Sequence, residues 1–238
     1  MRAQSLSSRP IRAVFTDVDG TLTDERRRLD PAALRAVRSI EARGIPVVLA
    51  TGNVLPIALA LHRSLGLSGP IVAENGGLLY ERRDGRDLVT RLCDRRPALA
   101  AYRRLRAAGL PVERLFTDRW RETEVALEPT VAIASVRRHL AGTGVDVEST
   151  GYALHLMSRG GGKLPALRRA LGRLHVPLDE CLAAGDGDND VPMLRAAGVS
   201  VTFANGSPRA RAAADWVAPS GYAEGFVEAL KRAGVLGS

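Results

Sequence analysis

Short apolar runs alternate with helix-patterned segments at both ends of the chain. This predicts an α/β protein with a Rossmann-like parallel-sheet core. Between about Tyr80 and Gly160 the alternation lapses into hairpin and strand-rich segments, which predicts an inserted α+β module. Aspartates stand at the ends of two of the apolar runs, where an open parallel sheet gathers its ligands. The expected division is a core of residues 1–81 and 160–238 and a module of residues 82–159.

Residues 11–17 (IRAVFTD) read as a short buried strand. Asp30-Pro31 supplies an N-cap and an N1 proline for the helix AALRAVRSIEAR, which Gly44 ends. IPVVLA (45–50) is a second strand, and 54–65 is a helix with apolar residues at helical spacing. IVAENGG (71–77) gives a strand and a turn, and Asp84-Gly85 marks a hairpin in LLYERRDGRDLVT. A helix over 97–108, a strand near 123–127, a helix at 130–140 and strands near 144–148 and 152–157 complete the module. From Lys163 the alternation returns with helix 164–173, strand 181–185, helix 190–196, strand 198–203 and helices 208–214 and 222–233.

The 238 residues are long enough to bury a sizeable core, and 45% apolar with 25% charged residues is ordinary for a globular protein. No run approaches the ~20 apolar residues of a membrane helix, and MRAQSLSSRP lacks a signal-peptide core. Cys93 and Cys181 have no metal-type spacing, which points to a reducing cytoplasm and no zinc site. The net charge of +8 is spread along the chain and aromatics are only 4%, which argues against nucleic acid. A basic surface also attracts small anions. Among 34 basic residues only Lys163 and Lys231 are lysine, and Lys163 follows three glycines.

The first strand ends at Asp17 and Asp19, the second at Thr51-Gly52-Asn53, and a later one, in CLAAGDGDND, at Asp186, Asp188 and Asp190. Converging carboxylates repel one another at low dielectric. A hard divalent cation resolves this, and a small set of oxygen ligands suits Mg²⁺. An EF-hand loop is excluded: its glycine and glutamate positions hold Val191 and Ala197 counted from Asp186, and Leu22 and Arg28 counted from Asp17. Thr51-Gly52-Asn53 leads into a helix N-terminus able to hold a phosphate. Lys163 can bring an ammonium to the same phosphoryl group. Paired aspartates, phosphate and Mg²⁺ point to a phosphoaspartyl mechanism. Each motif alone is as well read as a turn, a cap or a surface lysine; their order on successive strand ends carries the reading.

These residues resemble the haloacid dehalogenase superfamily of phosphohydrolases, with DVDGT, TGN, Lys163 and GDGDND in order. The inserted module looks like the α/β cap of the Cof-type branch. TGNVLPIALALHRSLGLSGPIVAENGG, TDRWRE and GYALHLMSRG are similar to archaeal-type phosphoglycolate phosphatases. The resemblance implies Asp17 as nucleophile, Asp19 as general acid and base, and Thr51, Gly52, Asn53 and Lys163 around the substrate. It implies Mg²⁺ held by Asp17, Asp19 (often through its backbone carbonyl), Asp186 and Asp190. The implied substrate is a small phosphorylated metabolite, 2-phosphoglycolate, with sugar phosphates as the alternative; the chain would be a monomer or homodimer. The sequence departs from the subfamily at Gly161-Gly162, where acidic or polar residues precede the lysine.

A carboxylate on the leaving group calls for a cation in the cap. Arg119 and Arg121, around Trp120, are the candidates, with His155 and Arg159 near the second crossover. Hinges are expected near 80–83 and 158–162. The competing readings are a phosphomutase and an Arg-rich binding module; the latter predicts steep salt dependence and indifference to Asp17→Asn.

Overall fold

The computed structural model describes Leu6 and residues 9–237. Five strands open the fold: β1 (Ala13–Thr16), β2 (Val47–Ala50), β3 (Ile71–Ala73), β4 (Leu78–Arg83) and β5 (Arg86–Arg91). Then come β6 (Val125–Leu127), β7 (Val145–Ser149) and β8 (Leu154–Ser158), followed by β9 (Cys181–Ala184), β10 (Val199–Thr202) and β11 (Trp216–Val217). Eight of them form one sheet in the order β11-β10-β9-β1-β2-β3-β4-β5, parallel from β11 to β3 and antiparallel at β4 and β5. The remaining three form an antiparallel sheet in the order β6-β8-β7.

β1 is buried along its whole length because both faces of the sheet are covered. Val14 joins a cluster with Val47, Leu49, Leu182 and Val199 under α1 (Pro31–Ala42), α2 (Leu55–Leu65) and α8 (Tyr222–Arg232). Ala13 and Phe15 point the other way, toward Ala166, Leu167 and Leu194 of α5 (Lys163–Leu174) and α6 (Val191–Ala196). Truncating a fully buried phenylalanine such as Phe15 to alanine costs about 3–5 kcal/mol. Asp30 caps α1 as its spacing predicts, accepting from Ala32 N–H at 2.6 Å. The short helix α7 (Pro208–Ala213) is capped by Ser207.

The second sheet carries its own core. Val125, Leu127, Val147 and Leu156 pack against Ala98, Ala101 and Leu105 of α3 (Arg96–Ala107) and Val136 of α4 (Ile133–His139). The expected boundary at residues 81 and 82 falls inside β4, and β5 extends the first sheet through Arg91. The chain therefore crosses to the second sheet at 92–95 rather than 80–83, and returns at 159–162. The two crossings lie side by side, with Ser158 Oγ donating to the Asp94 carbonyl at 2.7 Å. Gly162 precedes α5 with φ 123° and no side-chain cap, so the glycines before Lys163 leave that helix start uncapped.

β1 lies between β2 and β9, the point where the winding of the sheet reverses. A crevice opens there at the carboxyl ends of the strands, and Asp17 is the next residue after β1.

Candidate active site

Asp17 N–H donates to the Ala184 carbonyl at 3.0 Å, which ties the end of β1 to that of β9. The chain then turns away at Gly20, with φ +82°. A Cβ at Gly20 would lie 2.2 Å from Asp186 Oδ2, so only glycine lets the two acidic strand ends approach. Thr23 Oγ1 accepts from Gly20 N–H at 2.8 Å and holds the turn. Asp19 is partly exposed and held at both oxygens: Asn53 Nδ2 donates to Oδ2 at 2.6 Å, and Arg27 Nε lies 3.4 Å from Oδ1. Thr51 Oγ1 accepts from Asn53 N–H at 3.0 Å.

Lys163 is only 1% exposed, and its Nζ donates to Asp17 Oδ1 at 2.7 Å and to Asp190 Oδ1 at 2.6 Å. The other oxygen of Asp190 accepts from Gly187 N–H at 2.9 Å. Asn205 Nδ2 reaches Asp186 Oδ2 at 3.2 Å and the Gly20 carbonyl at 2.9 Å. Burial would lower the lysine's pKa, but Asp17 and Asp190 outweigh it and raise it. Burial, with Asp190 and Asp186 adding to it and Lys163 opposing, lifts the Asp17 carboxyl well above its usual range. Asp186 is pushed up to about 7 by burial and then by Asp190.

One lysine thus faces a crowd of acids. Carboxylate oxygens of Asp17, Asp186 and Asp190 all lie within 4.8 Å of one another. Crowded hard oxygen donors, kept close by the missing side chain at Gly20, fit a divalent cation such as Mg²⁺. Asp19 does not bring its carboxylate into this cluster; it turns toward Asn53 and Arg27. Asp188 also points elsewhere, accepting from Ser207 Oγ at 2.6 Å and pairing with Arg209 at 3.1 Å.

The second sheet covers the acids. A pocket of about 40 Å³ is bounded by Asp17, Asp19, Gly52, Asp186, Gly187 and Asn189 below and by Thr150 and Tyr152, from the β7–β8 turn, above. Burial, and then the neighbouring Asp19, push the Tyr152 phenol up to about 12, so it stays protonated. Behind the turn, His155 Nε2 lies 3.1 Å from Thr150 Oγ1, and His155 Nδ1 donates to Glu124 Oε1 at 2.9 Å. Glu124 also pairs with Arg121, whose Nη1 donates to the Gly52 carbonyl at 2.9 Å. Asn75 Nδ2 donates to Glu124 Oε2 at 3.0 Å, while its Oδ1 accepts from Asn189 at 3.0 Å. A second tie joins the sheets where Glu74 accepts from Thr123 Oγ1 at 2.6 Å and from the backbone of Glu122 and Thr123.

Of the expected cap cations, Arg121 and His155 are buried in this latch rather than free in the pocket. Arg119 lies on the surface, its guanidinium 4.1 Å over the Phe116 ring and 5.7 Å from Trp120, and does not line the pocket. Arg159 is exposed beside Asp146 at 3.9 Å. Sequence reasoning missed Arg27, Asn75, Glu124, Thr150, Tyr152, Asn189 as a pocket wall, and Asn205. Thr150 and Tyr152 flank Gly151 in a segment that resembled the subfamily, and that signal marked the turn without assigning its residues.

A profile of the haloacid dehalogenase-like hydrolases matches residues 14–116 and 130–230. The chain belongs to this family. A phosphoglycolate phosphatase of Methanothermobacter thermautotrophicus is 37% identical over 222 residues, covering 93% of this chain and 98% of the relative. A phosphoglycolate phosphatase of Archaeoglobus fulgidus is 37% identical over 225 residues, covering 94% and 98%. The crystal structure of a Thermoplasma acidophilum protein superposes with a TM-score of 0.87 at 28% identity, over 96% of this chain and all 100% of that one. A sugar phosphatase of the superfamily's subclass IIB aligns with a TM-score of 0.77, over 94% of this chain and 100% of its own, but at 18% identity it shares the fold alone. With relatives of this kind along nearly its whole length, this family member is a phosphatase. No helix among the described residues is long and apolar enough to cross a membrane.

Proposed function

We propose that the chain hydrolyses 2-phosphoglycolate to glycolate and phosphate through a phosphoaspartate on Asp17, with a divalent cation such as Mg²⁺. The observation that carries the reading is the carboxylate of Asp17, held at one oxygen by buried Lys163 and sharing one small pocket with Asp19. The names of the archaeal relatives support the substrate.

Lys163 orients Asp17 through Oδ1, which leaves Oδ2 to attack phosphorus. As the new Oδ2–P bond forms, the bond from phosphorus to the glycolate oxygen breaks, and Asp19 donates a proton to that oxygen. Asp19 then takes a proton from water; the water oxygen attacks phosphorus, the Oδ2–P bond breaks, and Asp17 is restored with release of phosphate. Asn53 keeps the Asp19 carboxyl in place for both transfers. The Thr51 hydroxyl, which accepts from Asn53, has its own proton to give a phosphoryl oxygen, and Lys163 supplies the ammonium. Asp17, Asp186 and Asp190 would hold a divalent cation, which would supply charge neutralisation to the phosphoryl oxygens. Thr150 and Tyr152 close the pocket against water while the leaving group departs.

The test is phosphate release from 2-phosphoglycolate, sugar phosphates and p-nitrophenyl phosphate, with Mg²⁺ and with EDTA. The reading expects the highest kcat/KM for 2-phosphoglycolate and loss of activity in EDTA. A sugar phosphate as the best substrate, or activity that survives EDTA, overturns it.

A further inference from the structure

The leaving-group oxygen of 2-phosphoglycolate must meet Asp19, and the substrate's carboxylate carbon is only two bonds from that oxygen. A cation that reads this carboxylate must therefore stand beside Asp19. Arg121 is poorly placed for this: it is 3% exposed, and its Nη1 is taken by the Gly52 carbonyl and Glu124. Arg27 meets the requirement. Its Nε lies 3.4 Å from Asp19 Oδ1, and its guanidinium carbon sits 4.0 Å from the centroid of the Tyr152 ring. It thereby bridges an acid from the floor of the pocket and an aromatic ring from its roof.

The loop that carries Arg27 is built to aim it. Thr23 and Leu29 form an antiparallel bridge, and inside it Asp24 Oδ1 accepts from the N–H groups of Arg26 and Arg28 at 2.9 Å each. The Arg28 side chain returns to Asp24 at 2.9 Å. Arg27 alone takes a left-handed conformation, φ 62°, which a non-glycine residue adopts at a cost. That turn sends its side chain away from Asp24 and toward Asp19. The side chain is 51% exposed, and only its Nε makes a hydrogen bond among the described residues. Its terminal N–H groups make no hydrogen bond among the described residues, and they present the planar fork that matches a carboxylate.

We propose that Arg27, braced on the Tyr152 ring and on Asp19, is the specificity residue that binds the carboxylate of the leaving group. The proposal rests on the 2-phosphoglycolate reading. Because the brace includes a ring from the second sheet, the carboxylate is read only when that sheet lies over the acids. Arg27 takes no part in breaking the phosphorus–oxygen bond.

The experiment compares kcat/KM for 2-phosphoglycolate with that for its uncharged amide, for wild type, Arg27→Ala and Arg27→Lys. Wild type should prefer the carboxylate, and Arg27→Ala should cut the preference about 10- to 100-fold. Arg27→Lys keeps a charge but not the fork, and should fall between the two. Wild type that does not prefer the carboxylate overturns the substrate reading, whatever the variants do. Wild type with the preference, and Arg27→Ala with the same ratio, overturns the role of Arg27 and leaves the substrate reading standing. Equal loss on both substrates also overturns it, because the arginine would then act on Asp19 rather than on the carboxylate.

Discussion

Glu124→Gln isolates the electrostatic worth of the latch between the two sheets. Glu124 is 1% exposed and meets Arg121, His155 and Asn75. Burial pushes its carboxyl up, but His155 and Arg121, with hydrogen bonds from His155 and Asn75, outweigh this and hold it at about 2, below the usual 4.5. The unfolded chain therefore binds the proton more tightly. The stabilisation is complete above pH 4.5 and is lost as pH falls toward about 2. The interval corresponds to about 3 kcal/mol at pH 7 and about 1.4 kcal/mol at pH 3. Glutamine keeps the volume and removes the charge, so Tm at pH 7 should fall by about 6–12 °C for a chain of this size. Trp120, next to Arg121, reports on this region by fluorescence, and the only other tryptophan, Trp216, lies in the main sheet. Urea or thermal unfolding at both pH values checks the prediction. A variant as stable as wild type at pH 7, or a gap that does not narrow at pH 3, refutes the reasoning.

Lys163→Met removes the ammonium shared by Asp17 and Asp190 and should lower kcat about 10²- to 10³-fold, measured by phosphate release. Gly20→Ala forces a Cβ into the Asp186 carboxylate at a left-handed position. It should cost about 1–3 kcal/mol in thermal unfolding and raise the Mg²⁺ concentration needed for half-maximal rate. Arg119→Ala removes an exposed stacking arginine. It should change stability by less than about 0.5 kcal/mol in urea unfolding and leave KM for 2-phosphoglycolate within about twofold.

The core was legible because its signals are local. The strand AVFT, the Asp30-Pro31 cap and the glycine after the aspartates each dictate their own geometry, and strand ends of a parallel sheet converge wherever the chain has travelled between. Hence Asp17, Lys163, Asp186 and Asp190 could be grouped by order alone, and the structure brings them together. The hairpin at Asp84-Gly85 was equally visible, but not its membership of the main sheet. The antiparallel pairing of Ile71 with Tyr80, which joins the hairpin to β3, leaves no trace in turn chemistry. Asp19 shares a motif with Asp17, and nothing in the spacing told that its carboxylate would face Asn53 and Arg27 instead of the acidic cluster.

The roof of the pocket was least legible. Thr150-Gly151-Tyr152 reads as a turn, and it becomes part of a site only because the second sheet folds over the first. Arg27 is one of three consecutive arginines, told apart by a backbone angle rather than by composition. Glu124 stands in a run of polar residues, RETE, whose burial depends on Gly52, Asn75 and His155 from three distant segments. Arg119 and Arg121 are equivalent in sequence, yet one lies on the surface and the other under the latch.

The central claim is that Asp17 carries the phosphoryl group. Acid quenching of the enzyme during turnover of labelled 2-phosphoglycolate, followed by peptide mapping, measures this directly. Label on the peptide that contains Asp17, absent from Asp17→Asn and discharged on standing with Mg²⁺, is the expected result. Phosphate release by Asp17→Asn at the wild-type rate, or label on another residue, would contradict it.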